Sequence, residues 1–238
     1  MAIHTRTVEY TDGDTVLEAY MAWDDSAADA RPGVLISHAW GGRSEIEEGK
    51  SEQLAELGYV GFAIDLYGKG VRGQSNEENA KLMQPLLDDR STLQRRMNLA
   101  LEQLRNQKEV DARRVAAMGF CFGGLCVLDL ARTGADILGV ASFHGLFGKP
   151  GNTDGTPITA KVLVMHGWDD PMAKPDQVLA LAQELTDVGA DWQIHAYGNT
   201  LHAFTNPGAN DPAHGTVYNA NADKRSWQSL QLFLAEIF

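Results

Sequence analysis

The sequence predicts an α/β fold with a mostly parallel central sheet, helices on both faces of that sheet, and an antiparallel hairpin at the N-terminus. Apolar runs long enough for buried strands alternate with segments of helical spacing, and this alternation implies βαβ units. Alternating polar and apolar residues on either side of Thr11–Asp14 predict the hairpin. No repeat or linker interrupts this order, so we expect a single domain over residues 1–238.

Each predicted element has its own local signal. Apolar runs or polar–apolar alternation predict strands at residues 5–10, 15–23, 33–38, 59–64, 115–118, 138–143, 161–165 and 191–197. Apolar residues at three- and four-residue spacing predict helices at residues 45–57, 77–87, 89–110, 175–188 and 223–238, and one that begins after Gly123. Residues 198–221 are rich in Gly, Asn and Pro and are predicted to form an irregular loop.

Composition excludes several classes of protein. The net charge of −12 argues against binding to nucleic acid or to anionic membrane surfaces. The sequence contains no stretch of 18 apolar residues, so no transmembrane helix is predicted. The N-terminus does not resemble a secretory signal. Cys121 and Cys126 lie five residues apart on different faces of a predicted helix, so a disulfide is not expected. These features predict a cytoplasmic protein.

One stretch carries the main chemical signal. Residues 119–123, Gly-Phe-Cys-Phe-Gly, lie between a predicted buried strand and a predicted helix. This is the nucleophile-elbow pattern with Cys in place of Ser, and its sharp turn leaves two positions without room for a Cβ. Cys121 is therefore the predicted nucleophile, and the N-terminus of the following helix favours its thiolate. Cys126 is predicted to be a buried structural residue.

A thiolate nucleophile needs a base and a carboxylate that orients the base. In α/β-hydrolases these follow the nucleophile in the order acid, then histidine. Asp170, beyond the strand at 161–165, is the predicted acid, with Asp169 as the alternative; turn capping by both is the non-catalytic interpretation. His202, after the strand at 191–197, is the predicted base.

Two further roles follow from position in the chain. The backbone N–H groups of Trp40 and Phe122 are predicted to form the oxyanion hole. His38 and His144 follow the C-terminal ends of predicted strands, where open α/β sheets bind ligands, so each either lines the pocket or packs in the core. Nothing in the spacing of His, Cys, Asp and Glu indicates a metal site.

With these motifs in place, the chain resembles the dienelactone hydrolase family of α/β-hydrolases over essentially its whole length. The matching pieces run in family order and are Gly119–Gly124, Asp65–Tyr67, Phe143–Gly145, His166–Pro171 and His202–Phe204. The resemblance implies an α/β-hydrolase fold and a triad of Cys121, Asp170 and His202. It also implies a small-molecule ester or lactone substrate, an acyl-thiol intermediate and no metal or organic cofactor, with Phe204 at the substrate site.

The chain departs from the family where dienelactone hydrolases activate the thiol and hold an anionic substrate. Ala39 stands in place of the Glu that helps to form the thiolate, and Asn206 in place of a substrate-binding Arg. Lys81 corresponds loosely to a second substrate-binding Arg. We therefore expect a different, uncharged substrate, and a thiol activated by His202 and the helix dipole. The alternative is a catalytically weak member that binds an acyl or lactone ligand without efficient turnover. Either would act as a monomer or homodimer.

Overall fold

A computed structural model describes residues 2–26 and 29–238. The chain groups into two compact units, Met1–Met118 and Gly119–Phe238, and each is described by itself. The predicted single-domain organisation stays a prediction.

The first unit begins with the predicted hairpin. Its strands and helices are β1 (Ile3–Asp12), β2 (Thr15–Asp24), β3 (Arg31–Ser37), α1 (Glu45–Glu56), β4 (Val60–Ala63), α2 (Asn76–Asp88) and α3 (Arg90–Arg105). β1 pairs antiparallel with β2, β2 pairs antiparallel with β4, and β4 pairs parallel with β3. Strand β5 (Val110–Phe120) begins in the first unit, and its last two residues belong to the second.

The second unit contains the segments that carry the predicted nucleophile, acid and base. It consists of α4 (Phe122–Arg132), β6 (Gly139–Phe143), β7 (Lys161–Gly167), α5 (Pro175–Asp187), β8 (Trp192–Tyr197), β9 (Asn210–Asp211), β10 (Thr216–Val217) and α6 (Ala220–Ile237). β6, β7 and β8 pair in parallel. All eleven residues of α4 are buried, which explains why apolar residues predominate in this helix.

The predicted fold class is confirmed. Residues 2–26 and 29–238 contain an eight-stranded, mostly parallel sheet with helices and an antiparallel hairpin at its start. None of the helices within residues 2–26 and 29–238 combines the length and the apolar character that a membrane crossing requires.

Three predicted boundaries are wrong. The helix predicted at 89–110 ends at Arg105, and Val110 already belongs to β5. Residues 111–114 at the start of β5 are mostly polar and are half-buried or exposed, so the strand has no apolar signal there. The terminal helix begins at Ala220 rather than at residue 223, because the Asn219 side chain accepts hydrogen bonds from the first backbone N–H groups.

Candidate active site

The nucleophile elbow is a tight, strained turn between β5 and α4. Cys121 has φ 54° and ψ −115°, a conformation that costs a non-glycine residue roughly 1–3 kcal/mol. Its backbone N–H donates to the carbonyl of Phe143 at 3.0 Å, and its own carbonyl accepts from the N–H of Gly124 at 3.0 Å. Bonds on both sides therefore keep Cys121 in this conformation.

Glycines make the turn sterically possible. A Cβ added to Gly119 would lie 2.1 Å from the carbonyl oxygen of Gly123, which is closer than real Cβ atoms approach. The crowding predicted from the elbow pattern is confirmed at this position. Gly124 is equally constrained, because its Cβ would lie 2.7 Å from the Cα of Gly145. The strand, the helix and the loop after β6 thus lie so close together that backbone atoms fill the space where side chains would be.

The two cysteines lie in different environments. Cys121 occupies the N-cap position of α4 and is partly exposed, so its thiol meets the positive end of the helix dipole. Cys126 has no exposed surface and lies within α4. Cys121 is therefore the cysteine that a substrate can reach from solvent.

The residues predicted as acid and base are hydrogen-bonded to each other. The Nδ1 of His202 donates to Oδ2 of Asp170 at 2.7 Å, and both side chains are almost completely buried. The second carboxylate oxygen of Asp170 accepts from the N–H of Met172 at 2.8 Å, which fixes its orientation. Asp169, the alternative acid, is exposed. The geometry favours Asp170 as the residue that orients His202.

The loop that carries His202 is anchored on both sides of this residue. The backbone N–H of His202 donates to the carbonyl of Gly215 at 2.9 Å, and its carbonyl accepts from the N–H of Val217 at 3.0 Å. The predicted irregular loop therefore contains ordered pairing, which includes the two short strands β9 and β10. These bonds fix the backbone position from which the imidazole of His202 extends.

Electrostatics link His202 to the nucleophile. Burial lowers the pKa of His202, but interactions with Cys121 and with the Asp170 carboxylate outweigh this effect, so that the pKa rises to about 10. The Nε2 atom makes no hydrogen bond of good geometry with the described residues, although Cys121 is near enough to act on its pKa. Catalytic hydrogen bonds are often long in the absence of substrate. The surroundings thus favour the protonated form of His202.

Two residues predicted at the substrate site are buried in the second unit. His144 is 3% exposed, and its Nε2 is hydrogen-bonded to Oγ1 of Thr205 at 2.8 Å. Phe204 has no exposed surface, and its ring packs edge-on against His144 and Tyr197 at 5.0 and 5.6 Å. The structure therefore favours packing over substrate contact for both. Sequence analysis did not single out Thr205, whose only signal is its position three residues after His202.

His38, in the first unit, also has a packing role. It has no exposed surface, its Nδ1 donates to the Ala39 carbonyl at 2.6 Å, and its Nε2 accepts from the N–H of Leu66 at 3.2 Å. Burial lowers its pKa, which keeps the ring neutral. With both ring nitrogens engaged, the packing alternative is the better description of His38.

The remaining predicted residues lie at the surface or near it. Lys81 is exposed on α2 and pairs with Glu77 at 2.6 Å. Asn206 is half-buried, and its Oδ1 accepts from the N–H of Gly208 at 2.9 Å. Trp40 is half-buried, and its carbonyl accepts from the Tyr67 hydroxyl at 2.9 Å.

The arrangement of the side chains that could act as metal ligands gives no indication of a metal site in the described residues. Within residues 2–26 and 29–238, no group of three or more His, Cys, Asp or Glu side chains could hold a metal ion. His166 lies close to Asp170 in sequence but is fully buried, with its ring edge-on to Phe147 at 5.3 Å. Burial lowers the pKa of His166, so the ring is neutral at pH 7.

Comparisons with known proteins identify the family of this chain. The model of the dienelactone hydrolase family matches residues 17–238. A solved structure described as a dienelactone hydrolase-like promiscuous phosphotriesterase from metagenomic libraries is 36% identical, with complete coverage of both chains and a TM-score of 0.93. Another, titled m3DLH, is 34% identical with the same coverage and a TM-score of 0.95.

A curated relative points to the same class of reaction. A Bradyrhizobium protein named as a probable 2-oxo-3-(5-oxofuran-2-ylidene)propanoate lactonase is 26% identical over 216 residues, which are 86% of each chain. The resemblance drawn from the motifs is thereby confirmed. The chain belongs to the dienelactone hydrolase family and is a hydrolase of esters or lactones.

Proposed function

We propose that this hydrolase cleaves a small ester or lactone with Cys121 as nucleophile, His202 as general base and acid, and Asp170 as the orienting carboxylate. The observation that carries the proposal is the buried 2.7 Å hydrogen bond between His202 and Asp170, in the same unit as the strained elbow that bears the thiol. The effect of Cys121 on the pKa of His202 supports the same pairing.

The first half of the reaction acylates the enzyme. His202 takes the proton of the Cys121 thiol, and the thiolate attacks the carbonyl carbon to form a tetrahedral intermediate. The C–O bond to the leaving group then breaks, and His202 returns its proton to the departing alkoxide. With an ester the alcohol leaves; with a lactone the ring opens and the hydroxyl stays attached to the acyl group. Asp170 stabilises the imidazolium that forms between these transfers.

The second half regenerates the thiol. His202 takes a proton from water, and the resulting hydroxide attacks the thioester carbon. The C–S bond breaks, the carboxylic acid leaves, and Cys121 recovers its proton from His202. The Phe122 N–H, at the N-terminus of α4, is the proposed donor to the oxyanion in both halves. Loss of one such donor costs on the order of 100-fold in rate or more. Trp40 as the second donor stays a prediction of the sequence.

We further propose that the substrate is uncharged near the reacting carbonyl. Asn206 carries no charge, and the ammonium group of Lys81 is already paired with Glu77 on an exposed helix face. Neither residue supports a clamp for a substrate carboxylate. The cytoplasmic location and the monomeric or dimeric state stay predictions.

The main test is a panel of neutral and anionic lactones and p-nitrophenyl esters, assayed with the wild type, Cys121→Ser and Cys121→Ala. Cys126→Ser is the matched control, because it changes the other cysteine, which lies within α4. We expect the highest kcat/KM for neutral substrates and loss of turnover only in the Cys121 variants. A strong preference for a carboxylate-bearing dienelactone contradicts the proposed substrate class. Full activity of Cys121→Ala contradicts the mechanism.

Intact-mass measurement separates the enzyme from the weakly active binder. After mixing with p-nitrophenyl acetate, we expect one acetyl group on the wild type, which disappears as p-nitrophenol accumulates beyond one equivalent. The adduct is expected to be absent in Cys121→Ala. An adduct on Cys121 that forms and never decays identifies a binder.

A second activity, phosphotriester hydrolysis, is favoured by one relative. The 36% identical structure described as a promiscuous phosphotriesterase aligns with the whole chain. In the proposed reaction the Cys121 thiolate attacks phosphorus, the aryloxide leaves, and water cleaves the S–P bond. Diethyl p-nitrophenyl phosphate tests this activity, and we expect p-nitrophenol release that depends on Cys121 and His202. Release by wild type and Cys121→Ala at the same rate contradicts it.

A further inference from the structure

A buried histidine that the proposed mechanism does not use lies beside the proposed base. His144 directly follows β6 and has φ 37°, a left-handed conformation that non-glycine residues rarely adopt. Its backbone N–H donates to the carbonyl of Met165 at 2.8 Å, and the preceding carbonyl, that of Phe143, accepts from the N–H of Cys121. The strained backbone of His144 is therefore coupled directly to the elbow.

The side chain of His144 joins this strand end to the loop of His202. Its Nε2 and Oγ1 of Thr205 form a 2.8 Å hydrogen bond between two residues that are 3% and 7% exposed. Thr205 follows His202 by three residues, and the turn between them is tight, because Ala203 has φ 56°. The hydrogen bond thus ties the turn to the residue after β6, in addition to the backbone bonds at residues 215–217.

The ring of His144 also limits the movement of the His202 ring. The two ring centroids lie 5.1 Å apart at an interplanar angle of 66°, and Phe204 packs on His144 at 5.0 Å and 81°. Burial lowers the pKa of His144 well below its ordinary value, and the neighbouring rings of His202 and His166 lower it further. The neutral ring therefore adds no repulsion when His202 becomes an imidazolium.

We propose that His144 and Thr205 are positioning residues for His202, which together hold its ring in the orientation that pairs Nδ1 with Asp170. This inference rests on the proposed role of His202 as the base. Side chains packed around a catalytic group restrict its geometry, and small misplacements of such a group reduce turnover strongly. His144 and Thr205 touch neither the substrate nor the reacting atoms in this arrangement and act through His202 alone.

The test uses Thr205→Val, which removes the hydroxyl at nearly constant volume, and His144→Phe, which keeps a ring but removes both ring nitrogens. Loss of one buried hydrogen bond corresponds to about a tenfold change in an equilibrium or rate constant. We expect kcat for p-nitrophenyl acetate to fall about tenfold in each variant with KM little changed. The double variant should be no worse than either single one, because both remove the same bond.

Two more variants separate positioning from folding. Thr205→Ser keeps the hydroxyl and should restore the wild-type kcat. Thr200→Val removes a buried hydroxyl on the same loop, one that donates to the Gly198 carbonyl, and should lower thermal stability without lowering kcat. In the pH profile of kcat/KM, the apparent pKa that belongs to His202 should be lower in Thr205→Val than in the wild type. Weaker pairing with Asp170 stabilises the imidazolium less.

The outcomes distinguish this inference from the proposed function. Unchanged kcat and pH profile in Thr205→Val and His144→Phe, with activity abolished in His202→Ala, overturn the positioning role and leave the mechanism intact. Retained activity in His202→Ala overturns both. Should His144→Phe fail to fold, the comparison of Thr205→Val with Thr205→Ser decides the question.

Discussion

At the scale of single residues, the elbow depends on glycine because backbone atoms occupy the space that a Cβ needs. At Gly119 that Cβ would lie 2.1 Å from a carbonyl oxygen, and no flexible side chain is there to move away. The conformation of Cys121 therefore depends on having glycine at position 119.

Gly119→Ala should displace the nucleophile and destabilise the protein. We expect kcat/KM to fall by on the order of 100-fold, because a shift of about 1 Å at the reacting atoms has an effect of this size. The free energy of unfolding should also decrease, by about 1–3 kcal/mol. Gly151→Ala is the control, since its Cβ would meet nothing within 4 Å, and it should leave both quantities close to wild type. Wild-type kinetics in Gly119→Ala would contradict this account of the elbow.

The two neighbouring aspartates provide a second test at this scale. Asp170 is buried against His202, whereas Asp169 is exposed. Replacing Asp170 by Asn removes the charge that stabilises the imidazolium and permits the wrong tautomer of His202. We expect kcat/KM to fall by about 10³-fold or more in Asp170→Asn, and to change little in Asp169→Asn. Steady-state kinetics with one p-nitrophenyl ester measure both, and a larger loss in Asp169→Asn would reverse the assignment.

At the scale of elements, a buried ion pair joins the nucleophile helix to its neighbour. Arg132, in the last turn of α4, is 2% exposed and donates two hydrogen bonds to Glu184 of α5, at 2.9 and 2.7 Å. It also pairs with Asp129 and donates to the carbonyls of Phe147 and Gly148. One guanidinium thus connects α4, α5 and the loop after β6.

Breaking this pair from one side should be costly, because Glu184 is one of the two carboxylates that balance the buried charge of Arg132. We expect Glu184→Gln to lower the free energy of unfolding by about 3 kcal/mol, measured by urea denaturation. Glu77→Gln breaks the exposed pair with Lys81 on α2 and should change stability by less than about 0.5 kcal/mol. Equal effects of the two substitutions would show that the burial of Arg132 does not matter for stability.

The element scale also shows where prediction from sequence succeeds. Fully buried strands such as β7 are continuous apolar runs, and the predicted positions of most strands and helices agree with the structure to within a few residues. The start of β5 was missed because its residues 111–114 are mostly polar and are half-buried or exposed. β9 and β10 were missed because two-residue strands have no periodicity to detect. Local patterns identify elements that have an apolar run or a clear periodicity, and they fail where a segment is mostly polar or very short.

At the scale of the whole molecule, several carboxylates whose pKa is lowered should govern stability in acid. Hydrogen bonds from Arg95 and Arg96, partly opposed by burial, lower the pKa of Asp12 to about 2. Hydrogen bonds from Arg6 and Arg114, respectively, are the largest causes that lower the pKa values of Glu109 and Asp111. Because the folded-state values are depressed, these groups stabilise the fold above their unfolded pKa, near 4, and lose this contribution as the pH falls.

Protonation of Asp12 should account for a measurable part of the stability that the protein loses in acid. Lowering its pKa from 3.8 to about 2 corresponds to about 2 kcal/mol of stability, present above pH 4 and lost progressively as the pH falls through about 2. We expect Asp12→Asn to be less stable than wild type at pH 7 and to lose less stability between pH 5 and pH 2. Urea denaturation at both values tests this. Parallel curves for the two proteins would show that Asp12 is not linked to acid unfolding.

The sequence by itself determined the order of elements, the fold class, the family, and Cys121, Asp170 and His202 as candidates, because these depend on local patterns and on spacing along the chain. Only the tertiary structure decided which of two adjacent aspartates reaches His202. It also decided that His38, His144 and Phe204 are buried, and that His144 meets Thr205 across 61 residues of chain. The physical reason is that burial and hydrogen bonding depend on distances between segments far apart in sequence, which no local pattern records.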